Sequence, residues 1–131
     1  MNTRYSKLLL AFLLLILMLP PVVADEPPKD GPHVEYYESG KKKSEAHYKD
    51  GKKDGLGTRW YENGQKERET HYKDGKADGL WTWWHRNSQK KGETHYKNGL
   101  PDGLWTWWHR NGQKVLEIHY KNGKEVSRKE F

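Results

Sequence analysis

The chain has 131 residues, of which 33% are hydrophobic and 32% are charged, with no cysteine and a formal net charge of +6. This length predicts a single domain rather than a large multidomain enzyme, and the missing cysteine excludes disulfides, thiol nucleophiles and zinc–thiolate sites. Seven Trp and eight Tyr are more aromatic residues than a disordered, solvated chain carries, so a folded domain is expected.

Residues 1–24 have the layout of a secretory signal peptide. Two basic residues precede an unbroken apolar run over residues 8–19, and two prolines follow it. Val22 and Ala24 occupy the small-residue positions of a cleavage site, which predicts cleavage after Ala24 and an exported protein, periplasmic or extracellular. As a helix the apolar run spans about 18 Å, too short for a hydrocarbon core of about 30 Å. A retained membrane anchor is the alternative.

The next segment, residues 25–32, is rich in proline and has nothing to bury, which predicts an extended leader. A repeat domain is predicted over residues 33–131, because the tripeptide His-Tyr-Lys recurs every 24 residues. The copies begin at His47, His71, His95 and His119. A fixed period of this kind predicts units that bury apolar surface only against their neighbours. The units are placed at about residues 33–54, 55–78, 79–102 and 103–126, followed by a short C-terminal cap.

Each unit has the pattern of a β-hairpin. In the last unit an aromatic run over residues 104–109 is followed by Asn111-Gly112, a strong hairpin signal, and by a second strand over residues 113–120. Another tight turn follows at residues 121–124. The closely spaced glycines leave no room for a helix. An all-β fold is predicted, an antiparallel meander of stacked β-hairpins.

The same residues resemble a known family. The pattern Gly-Leu-Trp-x-x-Trp-x-x-Asn-Gly-Gln-Lys, continuing through Glu-x-x-Tyr-Lys-x-Gly-Lys, resembles the MORN-variant repeat over about residues 35–125. Proteins built from it are often grouped with YwqK-type antitoxins of bacterial toxin–antitoxin systems. The resemblance implies an antiparallel β-meander and a non-catalytic, partner-binding role, either scaffolding or antitoxin- or immunity-like. Two features depart from it, namely the signal peptide and Ser88, which stands where the turn favours glycine.

The assignment of faces depends on the length of the Asn111-Gly112 turn, because a shift of one residue exchanges the two faces of a strand. A two-residue type I′ turn suits Asn-Gly and is the favoured geometry. It pairs Trp107 with Leu116 and places Trp108 with Val115 on the other face. A three-residue loop would move Trp108 to the face of the second strand's apolar residues.

On the favoured register the two faces differ in composition. The first face holds seven aromatic residues and is the predicted core: Tyr72, Trp81, Trp83, Tyr96, Trp105, Trp107 and Tyr120. In the opening units this face weakens to Gly57 and Arg59. The second face mixes aromatic and polar residues and is the predicted partner-binding surface, since exposed aromatic patches mark binding sites. Its members are Trp60, Trp84, Trp108, His71, His95, His119, Glu69, Glu93 and Glu117.

Neither a metal centre nor an active site is predicted. Equivalent histidines lie two strands apart, about 9.5 Å, whereas ligands lie about 2 Å from a shared zinc ion. A Glu-x-His pair recurs in every unit, and four copies of a catalytic dyad are less plausible than a structural ladder. No serine lies in a nucleophile elbow. The protein is therefore predicted to have no cofactor and no catalytic residue, with an enzyme as the least favoured alternative.

A protein is the predicted partner. The alternative is an anionic membrane or envelope polysaccharide, since lysines are interleaved with aromatic residues. The same residues would suit single-stranded nucleic acid, but the glutamates dilute the positive charge and export removes the chain from most nucleic acid. Nucleic acid is therefore not expected as a partner.

Overall fold

The computed structural model describes residues 28–131. The predicted signal peptide at residues 1–24, its cleavage site after Ala24 and the first residues of the leader lie outside the described residues. The described part forms eleven strands and no helix, and so none that could cross a membrane. The strands are β1 (Gly31–Tyr36), β2 (Lys42–Lys49), β3 (Lys52–Trp60), β4 (Lys66–Lys73), β5 (Lys76–Ala77), β6 (Gly79–Trp84), β7 (Lys90–Lys97), β8 (Leu100–Pro101), β9 (Gly103–Trp108), β10 (Lys114–Lys121) and β11 (Lys124–Glu130).

All eleven strands belong to one antiparallel sheet, which confirms the predicted meander. The order is β1-β2-β3-β4-β6-β7-β9-β10-β11, with the short strands β5 and β8 paired to β4 and β7. β1 begins at Gly31, so two residues assigned to the leader pair with β2 instead. The predicted cap is the edge strand β11, whose charged side chains, like Pro32 in β1, discourage further strand pairing.

The sheet has no enclosed hydrophobic core. Among the described residues, the buried side chains are Ile118 and four threonines, namely Thr70, Thr82, Thr94 and Thr106. Large aromatic residues on both faces are half-buried, because no other described element covers either face. The predicted core of the first face is therefore a half-buried aromatic layer rather than an interior.

The two-residue turn predicted at Asn111-Gly112 is wrong. His109 N donates to Gln113 O at 2.8 Å and Gly112 N donates to His109 O at 3.0 Å, which encloses a loop of three residues. Gly112 has a positive φ of 82°, whereas Asn111 does not have a positive φ. A type I turn followed by one left-handed residue gives this geometry, whereas a type I′ turn requires two such residues.

A β-bulge nevertheless restores the predicted register. Val115 is the extra residue, so Trp107 pairs with Leu116 as predicted, whereas Trp108 pairs with Lys114. The prediction that Trp108 lies beside Val115 is therefore wrong. The longer loop and the bulge each shift the register by one residue in opposite senses, so the two predicted faces are correct along most of the hairpin.

Type I′ turns occur at the other end of the hairpins, opposite the three-residue loops. Both central residues have positive φ at Asp50-Gly51, Asp74-Gly75, Asn98-Gly99 and Asn122-Gly123. Each turn is bonded to the preceding repeat. Asn98 N donates to Asp78 Oδ2 at 3.1 Å, and Gly99 N donates to Ala77 O at 2.7 Å. These bonds connect successive repeats, so the turns stack on one another at this end of the hairpins with the 24-residue period of the sequence.

Replacing Ser88 by glycine is expected to stabilise the sheet. Ser88 has a φ of 64°, at the loop position that other repeats fill with Gly64 and Gly112. A left-handed conformation costs a non-glycine residue about 1–2 kcal/mol, and the added freedom of glycine in the unfolded chain offsets part of the gain. Ser88→Gly should raise the free energy of unfolding by about 1 kcal/mol in denaturant titrations.

Ser127→Gly provides the matched control, because Ser127 lies in β11 without a positive φ. This substitution should lower stability, since glycine weakens a strand. If Ser88→Gly leaves the unfolding midpoint unchanged or lowers it, this result would contradict the loop geometry.

Candidate functional site

The second face carries a row of alternating lysine and aromatic side chains that runs across the strands. Register places Trp60 beside Lys66 and Trp84 beside Lys90. Each lysine also lies over the ring of the next repeat, with Lys66 Nζ at 5.8 Å from the ring centroid of Trp84. Such cation–π contacts contribute about 0.5–1 kcal/mol each at exposed sites. We call this the Lys–Trp row; its members are Lys42, Trp60, Lys66, Trp84, Lys90, Trp108, Lys114 and Phe131.

A second row of glutamates and threonines lies beside the first. Thr82 pairs with Glu69 on one side and with Glu93 on the other, and Thr106 continues the alternation to Glu117. Glu45, opposite Thr58, belongs to the same row. Each of these four glutamates forms an ion pair with a lysine of the Lys–Trp row: Lys42–Glu45, Lys66–Glu69, Lys90–Glu93 and Lys114–Glu117.

The ion pairs affect the charge of the face more than its stability. The hydrogen bond from Lys42 lowers the pKa of the Glu45 carboxyl below its usual value. Exposed pairs of this kind contribute little to stability, because water and salt screen the two charges. Because the two rows carry equal numbers of lysines and glutamates, this part of the second face is close to electrically neutral.

The histidines form a third row and are tied to the backbone. His71 Nδ1 lies 2.8 Å from Leu80 O, and His95 Nδ1 lies 3.2 Å from Leu104 O. A carbonyl oxygen only accepts hydrogen bonds, so Nδ1 carries a proton in both rings. His47 repeats the arrangement with the carbonyl of Leu56. His71 and His95 thus hold the start of the following strand, where a glycine with positive φ bends the chain.

The structure places the nine predicted site residues on one face, as three rows rather than one cluster. The three tryptophans lie in the Lys–Trp row, the glutamates in the second row and the histidines in the third. Within residues 28–131 no three potential ligands come together to hold a metal ion. The second-face tryptophans are half-buried, as are those of the first face, so burial does not distinguish the faces.

The tryptophans of the second face are held by bonds that the sequence analysis missed. Tyr61 Oη donates to Trp84 O at 2.8 Å, and His85 Nε2 donates to Trp108 O at 3.1 Å. Tyr37 makes the same bond to Trp60 O at 2.6 Å. These donors lie 24 residues apart in the sequence, and this spacing was the signal that the bonds recur in successive repeats. Each repeat therefore fixes the backbone of the next tryptophan in the row.

The first face differs because its aromatic rings pack on one another. Trp105 contacts Tyr96 and Tyr120, with ring centroids at 5.4 and 4.7 Å. Trp83 and Trp107 stack at 5.7 Å with 29° between their planes. Partial burial raises the pKa of the Tyr96 phenol. The rings of the first face contact one another, whereas lysines separate the tryptophans of the second face.

Comparison with known proteins identifies the repeats. The model of the family described as MORN repeat variant matches four tandem segments, residues 29–50, 53–74, 77–98 and 101–122. Repeats of this kind commonly act as protein- or membrane-binding modules. No curated protein sequence matches the chain.

Among solved structures, the crystal structure of TarM is similar at 13% sequence identity and a TM-score of 0.43. The similar region covers 92% of this chain but only 23% of that one. A similarity of this size implies no shared activity.

Proposed function

Because the chain belongs to the MORN repeat variant family, we propose that it is an exported, non-catalytic module that binds a protein partner through its second face. The observation that carries this proposal is the Lys–Trp row. Its three tryptophans are large, regularly spaced and uncovered by any other described element. Tryptophan is among the residues that contribute most to protein interfaces, because it buries much apolar area at a small entropy cost.

The balance of charge within the row favours a protein over an anionic surface. Each lysine of the row is paired with a glutamate, so the row itself adds no excess positive charge to attract anionic lipids or polysaccharides. An anionic membrane or envelope polysaccharide is the second candidate, supported by the lysines that lie over the rings. Scaffolding and antitoxin- or immunity-like neutralisation of a partner would both use the same surface.

A non-catalytic role is supported by the periodicity of the polar residues. The glutamates and histidines recur in every repeat, bonded to lysines and to backbone carbonyls in the same way. An active site needs a set of catalytic groups that occurs once in the protein and is arranged around a reacting atom. The repeated bonds support a structural use of these side chains.

Co-sedimentation would separate the two candidate partner classes. Purified protein is mixed with anionic liposomes or with cell-wall material over a series of salt concentrations, and an envelope extract is tested by affinity capture. The proposal predicts a captured protein that Trp84→Ala releases and that Val126→Ala, an exposed apolar control outside the row, retains. Salt-sensitive sedimentation with liposomes or wall material, and no such captured protein, would favour the anionic surface instead.

Export makes a separate prediction. The mature protein should begin at Asp25, because Val22 and Ala24 occupy the cleavage positions. Intact mass and N-terminal sequencing of the protein recovered outside the cytoplasm test this. Recovery of the full-length chain in the cytosol would contradict both export and an envelope partner.

A further inference from the structure

A cavity of about 240 Å³ opens on the first face, in the half of the sheet where the repeat pattern breaks. Ala46, Gly57 and Thr70 lie side by side across three strands and form its floor. Gly57 occupies the position that Trp81 takes one repeat later, and Trp81 likewise faces a threonine across the strand pair. The cavity is therefore the space that a tryptophan ring fills in the following repeat.

Two arginines face each other at one side of this cavity. Arg59 and Arg68 are direct partners in the β3–β4 register and so lie on the same face. Like charges that oppose each other destabilise a strand pair, and the ion pair of Arg59 with Glu67 offsets only one of the two charges. One repeat later the equivalent positions hold Trp83 and Gly92, neither of which is charged.

The arginines retain capacity for a ligand. Arg59 is engaged within the sheet, because its Nε lies 2.9 Å from Glu67 Oε2 in an ion pair. Arg68 forms no ion pair with any described residue. The Arg68 guanidinium therefore keeps its donors for an acceptor supplied from outside.

Positive charge predominates around the cavity. Lys53 lines it together with the two arginines, and its Nζ lies 5.2 Å from the ring centroid of Tyr72. Two acidic residues also line the cavity. Glu35 accepts a hydrogen bond from the neutral Ser44 hydroxyl at 2.9 Å, whereas Glu45 forms an ion pair with Lys42 on the second face. The three basic side chains therefore outnumber the one acidic lining residue that has no ion pair.

We infer that this cavity binds an acidic sugar, a ring of hexose size whose carboxylate or phosphate lies between Arg59 and Arg68. The guanidinium fork matches the oxygens of either anion in a bidentate manner. The volume is below the about 300–1,000 Å³ of pockets for drug-sized ligands, which suits a single ring. The phenols of Tyr48 and Tyr72 line the same cavity and provide polar partners for hydroxyl groups.

Calorimetric titration of the purified protein with glucuronate, glucose 6-phosphate and glucose tests the inference. The acidic sugars should bind and glucose should not, and the tighter of the two acids identifies the preferred anion. Gly57→Trp copies the next repeat and should abolish binding by filling the cavity. Arg68→Gly, which also copies the next repeat, should weaken binding at least about tenfold by removing one charged hydrogen bond.

Arg110→Gln is the matched control, because Arg110 lies in the exposed β9–β10 loop away from the cavity, and it should bind the acidic sugars like the unchanged protein. Thermal unfolding checks that each variant folds, and if Gly57→Trp does not, Arg68→Gly decides the result. Glucose binding as tight as that of the acids would overturn the inference. So would full binding by both variants, or binding of poly-glutamate but of neither acidic sugar. Because the cavity lies on the first face, neither result of this titration bears on the proposed partner binding through the second face.

Discussion

Replacing Gly92 by alanine should lower the free energy of unfolding by about 1–3 kcal/mol, as overpacking in a close-packed site does. Gly92 lies between Trp83 and Trp107 in the register of the sheet. A Cβ atom there would lie 2.6 Å from two ring atoms of Trp107, well inside van der Waals contact. The indole ring would have to leave the backbone of β7 and lose its stacking on Trp83.

A double-mutant cycle isolates this clash from the general effect of adding a methyl group to the strand. In a Trp107→Leu background the indole ring is absent, so Gly92→Ala should cost markedly less in denaturant unfolding. An equal loss in both backgrounds would contradict the role of Gly92 as the platform for Trp107.

The fold was predictable because one signal dominates the sequence. A period of 24 residues with glycine-rich turns defines hairpins of fixed length, and neighbouring hairpins can only stack in chain order. The local turn geometry was not predictable from Asn-Gly alone. At Asn122-Gly123 the pair forms a type I′ turn, whereas at Asn111-Gly112 the Asn111 side chain accepts a hydrogen bond from Gln113 N at 3.0 Å. The same dipeptide therefore serves two geometries.

The candidate site was predictable in its tryptophans but not in its lysines. The 24-residue period places Trp84 and Trp108 at equivalent positions of two strands, so both side chains lie on one face. The bulge at Val115 then brings Lys114 beside Trp108, and no residue type in the sequence specifies a bulge there. The cavity on the first face was also missed. Its signal was present in Gly57 and Arg59, which sequence analysis interpreted only as a weakened core.

Partner binding should depend on the tryptophans of the second face more than sheet stability does. Trp84→Ala and Trp108→Ala are each expected to weaken binding by about 2 kcal/mol or more, the loss typical of an interface hot spot. The measurement is the affinity for the captured partner, determined on variants whose unfolding is followed in parallel. Their effect on stability should be small, because each ring contacts a lysine rather than another ring.

The matched substitutions are Trp83→Ala and Trp107→Ala on the first face. Each substitution breaks a stacked pair of rings, so it should destabilise the sheet more than Trp84→Ala or Trp108→Ala. Deleting a buried aromatic side chain costs about 3–5 kcal/mol of unfolding free energy. Half-burial of the rings keeps the expected value at the lower end. If Trp84→Ala and Trp108→Ala prove the more destabilising pair and leave partner affinity unchanged, the second face is structural. The partner would then bind the aromatic layer of the first face, where contacting rings run across five strands.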